Sequence, residues 1–483
     1  MTAKSLQFVL FINGILLCIL ATVMLIPAAV DGFLGDSDWH VFTLSSATTF
    51  AAGVSLVLAY RGDPPPSGSR SGYLLTAVSW VLTALFGSLP LMFSSLNLSF
   101  TDAFFETMSG LTTTGSTVLS GLDSMAPGLL LWRSLLQWIG GVGIVVMAIV
   151  LLPALRVGGM ELFRTESSDI SEKTVPQAYR LAGVTALVYL GLSVACAISM
   201  MAAGMGPFDA INHAMTTLAT GGYSTKDSSV GFFDSVPIEV VTEVFMVSGA
   251  LPLIFYARII LLGRRAFQNE WQVGGFLKIL AVTIGLAAVW NITQGMPVGQ
   301  AIRQAAFNVT SILTDTGYAT TDFGTWGSFA IGLFFVLYFI GGCAGSTAGA
   351  IKIFRWQILF ASARRQIRLM PSPHRVLVVR YAGRPVGPDM MESVRNFFFL
   401  YLLTFMALAA GVMATGVDFL SSTTAIAQAM ANAGPGLGPL VGPATTFAAL
   451  PAVAKWLIAA GMLLGRLELA TVYVLFAGCY WRR

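Results

Sequence analysis

The sequence predicts an all-α polytopic membrane protein. It has four pseudo-symmetric repeats, each a helix, a short pore helix, a filter-like loop and a second helix, and an N-terminal helix pair precedes them. Composition comes first. Of 483 residues, 55% are hydrophobic and only 10% charged, whereas a soluble domain carries about 25% charged residues. Such a chain cannot cover a water-facing surface of its size. Second, many apolar stretches of about 20 residues match membrane helices, not the short alternating strands of a barrel. Third, one plan recurs four times: a helix-like piece too short to cross a bilayer, followed by a hydroxyl- and glycine-rich loop. It runs from Asp102 to Thr117, where the loop reads Thr112-Thr113-Thr114-Gly115. It returns with loops Thr220-Gly221-Gly222, Asp315-Thr316-Gly317 and, more degenerately, Asn432-Ala433-Gly434. Equating the last glycine of each gives a spacing of 95 to 117 residues, and this suggests fourfold pseudosymmetry about an ion pathway.

The predicted organisation is an N-terminal two-helix extension over 1–71, then pore repeats over 72–160, 161–268, 269–385 and 386–483. The first pair spans about 5–29 and 40–60, closed by Arg61 to Arg70 with three prolines. The first apolar run is long for a signal peptide and is expected to be a retained helix. Outer helices are expected near 72–94, 177–203, 272–294 and 391–415, and inner helices near 128–155, 237–262, 327–360 and 451–481. That makes ten crossings. Only the third inner helix carries an obvious interruption, Gly341-Gly342-Cys343-Ala344-Gly345-Ser346-Thr347-Ala348-Gly349. Each glycine there costs about 1 kcal/mol against alanine in a helix. Non-helical backbone at membrane depth needs protein or a water-filled cavity around it. The interruption is therefore expected to face the pathway as a gate formed by Gly341, Gly342, Gly345, Ser346, Thr347 and Gly349. Arg466, inside the last apolar stretch, joins it, because a membrane-embedded charge marks a pathway by default.

Charge sets the expected orientation. Lys4, Arg61, Arg70, Arg156, Arg164, Lys173, Arg180, Arg258, Arg264, Arg265, Lys278, the Arg364 to Arg395 cluster and Arg482-Arg483 fall on one side. Asp31, Asp36, Asp38, Asp102, Asp123, Asp209, Asp227 and Asp322 fall on the other. The positive-inside rule makes the basic side cytoplasmic, with both termini inside. Nucleic acid is not indicated, because the basic residues occupy short loops, not a groove-like face. Cys18, Cys196, Cys343 and Cys479 lie in apolar stretches without metal-ligand spacing. Arg133 and Lys455, near the outer ends of inner helices, are expected to be interfacial. His213 is expected to cap or pack.

A cation crosses a membrane when something replaces its water shell, and rings of backbone carbonyls do so. Glycine relieves the sterics that stop successive carbonyls from pointing inward. The candidate cation-binding residues are therefore Thr113, Thr114, Gly115, Thr220, Gly221, Gly222, Asp315, Thr316, Gly317, Asn432, Ala433 and Gly434. The threonine hydroxyls either add oxygen ligands or brace the loops. Each short helix precedes its loop, so its partly negative C-terminal end faces the cation. A hydrolase using Ser346 and His213 is the rival from another class. It requires a hydrogen bond between residues expected on opposite sides of the loops.

These residues resemble the Trk/Ktr/HKT potassium transporter superfamily, most closely its TrkH type. The resemblance rests on Ser109-Gly110-Leu111-Thr112-Thr113-Thr114-Gly115, Gly221-Gly222-Tyr223-Ser224-Thr225 and Thr316-Gly317-Tyr318-Ala319-Thr320. It rests equally on Gly434-Pro435-Gly436-Leu437-Gly438, the Gly341 to Thr347 run and Gly465-Arg466-Leu467-Glu468. It implies potassium uptake across a bacterial inner membrane by a non-enzymatic homodimer with one pore per subunit. It further implies a gate at the third-repeat interruption and an arginine from the last helix facing the path. The potassium ion is cargo and no cofactor is expected. The resemblance implies a cytoplasmic TrkA-like ring as the nucleotide-binding partner, docking on the basic face. The alternative is a proton- or sodium-coupled symporter using the same pore. Asp315 departs from the family pattern, which often has a small or hydroxyl residue there. Its carboxylate is expected to draw cations to the inner mouth and loosen potassium-over-sodium preference.

Overall fold

The computed structural model describes residues 3–62, 69–150, 174–262, 270–372 and 374–481. Arg156, Arg164, Lys173, Arg264, Arg265, Arg482, Arg483, the three prolines after Asp63, residues 151–155 of the first inner helix and two repeat boundaries lie outside them. The regular elements of the described chain are helices, apart from one two-stranded hairpin, Arg380–Tyr381 against Arg384–Pro385.

Among the described residues, six helices are long and apolar enough to cross a membrane: Lys4–Leu34, Trp39–Ala59, Ser71–Phe93, Ala182–Ala202, Trp271–Thr293 and Pro388–Met413. These are the N-terminal pair and the four outer helices. The inner helices behave differently. Pro127–Val150 is continuous as far as it is described. The second is split into Val236–Ala250 and Leu253–Leu262. The third stops at Leu337 and resumes at Ile353. The fourth bends by 112° between Ala452–Arg466 and Leu469–Phe476. The unbroken second and fourth inner helices expected from hydropathy are therefore corrected. Pro252 has no amide to continue the helix and holds Leu251 in an extended conformation. Glu468 sits at φ +62°, a left-handed conformation that ends a helix. Hydropathy sees neither event, because the flanking residues stay apolar.

Four short helices lie between outer and inner helices: Phe100–Leu111, Pro207–Leu218, Val298–Leu313 and Phe419–Ala431. At about 1.5 Å per residue none reaches the roughly 30 Å hydrocarbon thickness. Their N-termini carry ordinary start signals. Ser99 Oγ accepts from the Asp102 amide, Asp418 accepts from the Ser421 amide, and Pro207 opens the second.

The N-terminal pair packs through small residues. A Cβ on Gly53 would lie 2.8 Å from both Gly14 O and Cys18 Sγ, so the two backbones approach as only glycine allows. Asp31, in the last turns of the first helix, and Asp38, just before the second, tie this pair to the first repeat. Asp31 accepts from the Gly128 amide at 2.6 Å, and Asp38 accepts from the Ser95 hydroxyl at 2.8 Å.

Substituting Gly53→Leu should therefore pry the pair apart and cost about 1–3 kcal/mol. A lower melting temperature of the detergent-solubilised protein is the expected result. An unchanged one contradicts the packing argument.

Candidate functional site

Each short helix ends in the same motif, in which the fifth residue after the accepting carbonyl donates back to it. The amide of Thr114 donates to Ser109 O at 2.8 Å, Gly221 to Thr216 O at 2.8 Å, Thr316 to Ser311 O at 2.9 Å and Ala433 to Gln428 O at 3.0 Å. The preceding residue bonds inside that pair: Thr113 to Gly110 O, Thr220 to Thr217 O, Asp315 to Ile312 O and Asn432 to Ala429 O. This is the Schellman arrangement, whose left-handed residue is normally glycine. Here Thr113, Thr220, Asp315 and Asn432 hold it, at φ of 53°, 51°, 60° and 60°. Left-handed backbone costs a residue with a Cβ roughly 1–2 kcal/mol. The same strain at one register in four repeats, 0–1% exposed each time, marks a functional position.

Two residues on, Gly115, Gly222, Gly317 and Gly434 also have positive φ, between 73° and 88°. Their missing side chains define how the loops meet. A Cβ on Gly115 would lie 2.2 Å from Gly221 O. One on Gly222 would lie 2.0 Å from Thr316 O, one on Gly317 2.5 Å from Ala433 O, and one on Gly434 3.2 Å from Thr114 O. The contacts run from loop one to two, two to three, three to four and four back to one. The four loops thus close a ring in chain order, and the register expected from sequence is the register observed.

Side chains brace this ring from behind. Thr112 and Thr114 share a hydroxyl bond of 2.8 Å, as do Thr314 and Thr316. Asn432 Nδ2 donates to Thr114 Oγ1 at 2.9 Å, and Ser116 Oγ to Gly434 O at 2.8 Å. Of the two roles open to the hydroxyls, Thr114 and Thr316 take the bracing one. Gln137 clasps the second loop, donating to Gly221 O at 2.6 Å and accepting from the Tyr223 amide at 3.1 Å.

A further register went unread in the sequence. Nine residues before the ring glycine stand Glu106, His213 and Asn308. Each ties its short helix to the chain just beyond its own loop. Glu106 accepts from Thr117 Oγ1 and the Val118 amide. His213 bonds Ser224 Oγ at 3.0 Å, and Asn308 Oδ1 accepts from the Thr320 amide at 3.2 Å. The common offset from glycine was the available signal, hidden because three different side chains do the work. Arg133 is not interfacial. It is 1% exposed, its Nε donates to Glu106 at 2.9 Å and its Nη1 to Ser224 O at 3.1 Å. It thereby joins loops one and two. Lys455 is also buried, bonded to Asp102 at 2.6 Å. Both were misread because a charge near a helix end looks exposed until its partner from another repeat is known. Ser346 and His213 do not meet, since Ser346 Oγ donates to Cys343 O.

Beside the ring lies the interruption of the third inner helix. Thr347 Oγ1 donates to Leu218 O, at the end of the second short helix, and the Ala350 amide donates to Ala431 O, at the end of the fourth. The Cys343 and Thr347 amides donate to Ala250 and Gly249 O, and Leu253 donates back to Gly345 O. The loop thus fills the break in the second inner helix, and each satisfies the other's freed backbone groups. Gly345 uses φ +78°. Gly349 passes so close to Ala431 O that a Cβ would lie 2.1 Å away. Arg466, buried at the end of its helix, donates from Nη1 to Thr347 O at 2.7 Å. Gly341, Gly342, Gly345, Ser346, Thr347, Gly349 and Arg466 are therefore brought to one place, adjoining the ring. Lys352 belongs with them, its ammonium on Ala348 O.

With this geometry in place, a sequence model of the TrkH family, described as "cation transport protein", matches residues 39–483. The chain belongs to the TrkH family. It is 42% identical to the Trk system potassium uptake protein TrkI of Halomonas elongata, over 98% of this chain and 97% of that protein. It is 37% identical to the Trk system potassium uptake protein TrkH of Escherichia coli, over 98% of each. The crystal structure of the potassium transporter TrkH from Vibrio parahaemolyticus superimposes with a TM-score of 0.92 at 34% identity, over the whole of both chains.

Removing Arg133 alone, as Arg133→Met, leaves Glu106 buried and unpaired, which costs about 3–5 kcal/mol. The pair Glu106→Gln with Arg133→Met should cost less than the sum of the single changes. Thermal unfolding of the four proteins in detergent measures this, and additive losses would contradict the pairing.

Proposed function

We propose that this chain takes up potassium ions across the bacterial inner membrane through a gated, channel-like path. The observation that carries the reading is the closed ring of four loops. Its glycines let backbone carbonyls crowd together, as replacing a dehydrated cation's water shell requires. Four short helices end at the ring, so four partly negative helix ends face whatever stands on its axis. That polarity suits a cation. The names of the relatives, potassium uptake proteins and not enzymes, supply the ion.

In this reading Thr113, Thr114 and Gly115, with Thr220 to Gly222, Asp315 to Gly317 and Asn432 to Gly434, form the selectivity filter. The loop from Gly341 to Gly349, with Arg466, is the gate. Arg466 holds positive charge beside the path and raises the barrier to a cation. Asp315 makes the filter of this chain less strict for potassium over sodium. The N-terminal pair and four repeats are the domains. The basic face, with exposed Arg364, Arg368, Arg375, Arg380 and Arg395, is cytoplasmic. It receives a nucleotide-binding partner of the Trk system, and the chain works as a homodimer. No coupled ion is needed: about 2.3 kcal/mol per charge per 100 mV supports roughly 50-fold accumulation.

One buried carboxylate at the ring, Asp315, favours a second reading, in which a proton or sodium ion is co-transported. Rubidium uptake into proteoliposomes at a clamped potential, without proton or sodium gradients, separates the two. Potential-driven uptake supports the channel-like path, and uptake only with a gradient supports symport. In the same assay Arg466→Ala should raise flux severalfold. Unchanged or lower flux in a folded variant removes Arg466 from the gate.

A further inference from the structure

The left-handed residue of each short-helix end carries a side chain that takes no part in the Schellman bonds. Around the ring the order is loop three, four, one, two. On three neighbouring loops this side chain presents a buried oxygen with no hydrogen-bond partner: both carboxylate oxygens of Asp315, Oδ1 of Asn432 and Oγ1 of Thr113. The fourth, Thr220, spends its hydroxyl on Ala219 O and Thr347. Asp315 and Asn432 are 0% and 1% exposed. Their oxygens border one spot, because Cβ positions on Gly341 and Gly349 would each lie 3.0 Å from Asp315 Oδ2 and Asn432 Oδ1 respectively. A Cβ on Gly341 would also lie 2.5 Å from Gly349 O, so the two glycines adjoin. Four unpartnered oxygens on three side chains at one register, two of them a carboxylate's, are costly unless something positive satisfies them. Lys352, Arg466 and the backbone amides of Gly342 and Gly349 act on Asp315 from longer range, but its two oxygens have no hydrogen-bond partner within 3.5 Å among the described residues.

We propose that Asp315, Asn432 and Thr113 form an anionic cation site between the ring and the loop at Gly341–Gly349, a site that holds a potassium-sized divalent cation more tightly than potassium itself. The proposal rests on the filter reading and gives it a charged inner step. An all-carbonyl site discriminates by size and dipole. One carboxylate adds a full charge, whose attraction doubles for a divalent ion of the same radius. Asn432 and Thr113 contribute neutral oxygens, as hard cations accept. Occupancy by such an ion plugs the route between ring and loop, so the site makes transport by this chain sensitive to divalent block.

Barium, a divalent ion of potassium's size, is the probe. Potential-driven rubidium uptake by the full chain in proteoliposomes is measured against barium concentration, and barium protection against thermal unfolding is measured in detergent. The wild type should be blocked and stabilised by barium. Asp315→Asn should raise the half-blocking concentration by about tenfold or more, since affinity of such sites follows ligand charge, while Asp315→Glu stays near the wild type. Should Asp315→Asn transport nothing, the unfolding assay still reads the site, through loss of barium protection. Equal barium sensitivity in wild type and Asp315→Asn, by either readout, overturns the proposal. Rubidium uptake by the wild type meanwhile tests the transport reading separately, because its absence condemns that reading whatever barium does.

Discussion

The architecture depends on one steric constraint: four loops can meet around an axis only if each gives up a side chain. Gly115, Gly222 and Gly317 sit where a Cβ would fall 2.0 to 2.5 Å from the next loop's carbonyl oxygen, and Gly434 closes the circle. No other residue tolerates both that contact and the positive φ. The rest of the fold serves this approach. Short helices deliver the loops at one depth, and a Schellman end turns each chain inward. Bracing by Gln137, Glu106 and Arg133 keeps the loops from spreading.

A second constraint shapes the inner half. Backbone opened within a membrane has no water to bond, yet three of the four inner helices are broken within the described residues. The breaks satisfy one another. The loop after Leu337 donates to Gly249 and Ala250, accepts from Leu253 and bonds the ends of two short helices. Arg466 adds a bond to Thr347 O. Arg355 pairs at 2.6 Å with Glu468, the left-handed residue of the last break. This mutual dependence gives the gate reading its physical content, because moving the loop exposes bonds on three repeats at once.

Much of this was legible in the sequence. The repeat and the register of its four ring glycines follow from glycine and hydroxyl spacing, because backbone sterics tie glycine to position. The interruption at Gly341 was visible for the same reason. What stayed hidden depends on partners from distant repeats. Arg133 reads as interfacial until Glu106 and Ser224 stand beside it, and Lys455 until Asp102 does. The register of Glu106, His213 and Asn308 escaped because position, not residue type, is repeated. The breaks after Ala250 and at Glu468 escaped because one proline and one left-handed residue do not disturb an apolar average.

The most direct test of the central claim is anomalous diffraction from crystals of the protein grown in rubidium. The account requires anomalous density on the axis of the ring, within coordination distance of the carbonyls around Gly115, Gly222, Gly317 and Gly434. An ordered ring with no rubidium on its axis, and rubidium bound elsewhere in the membrane region, would contradict it.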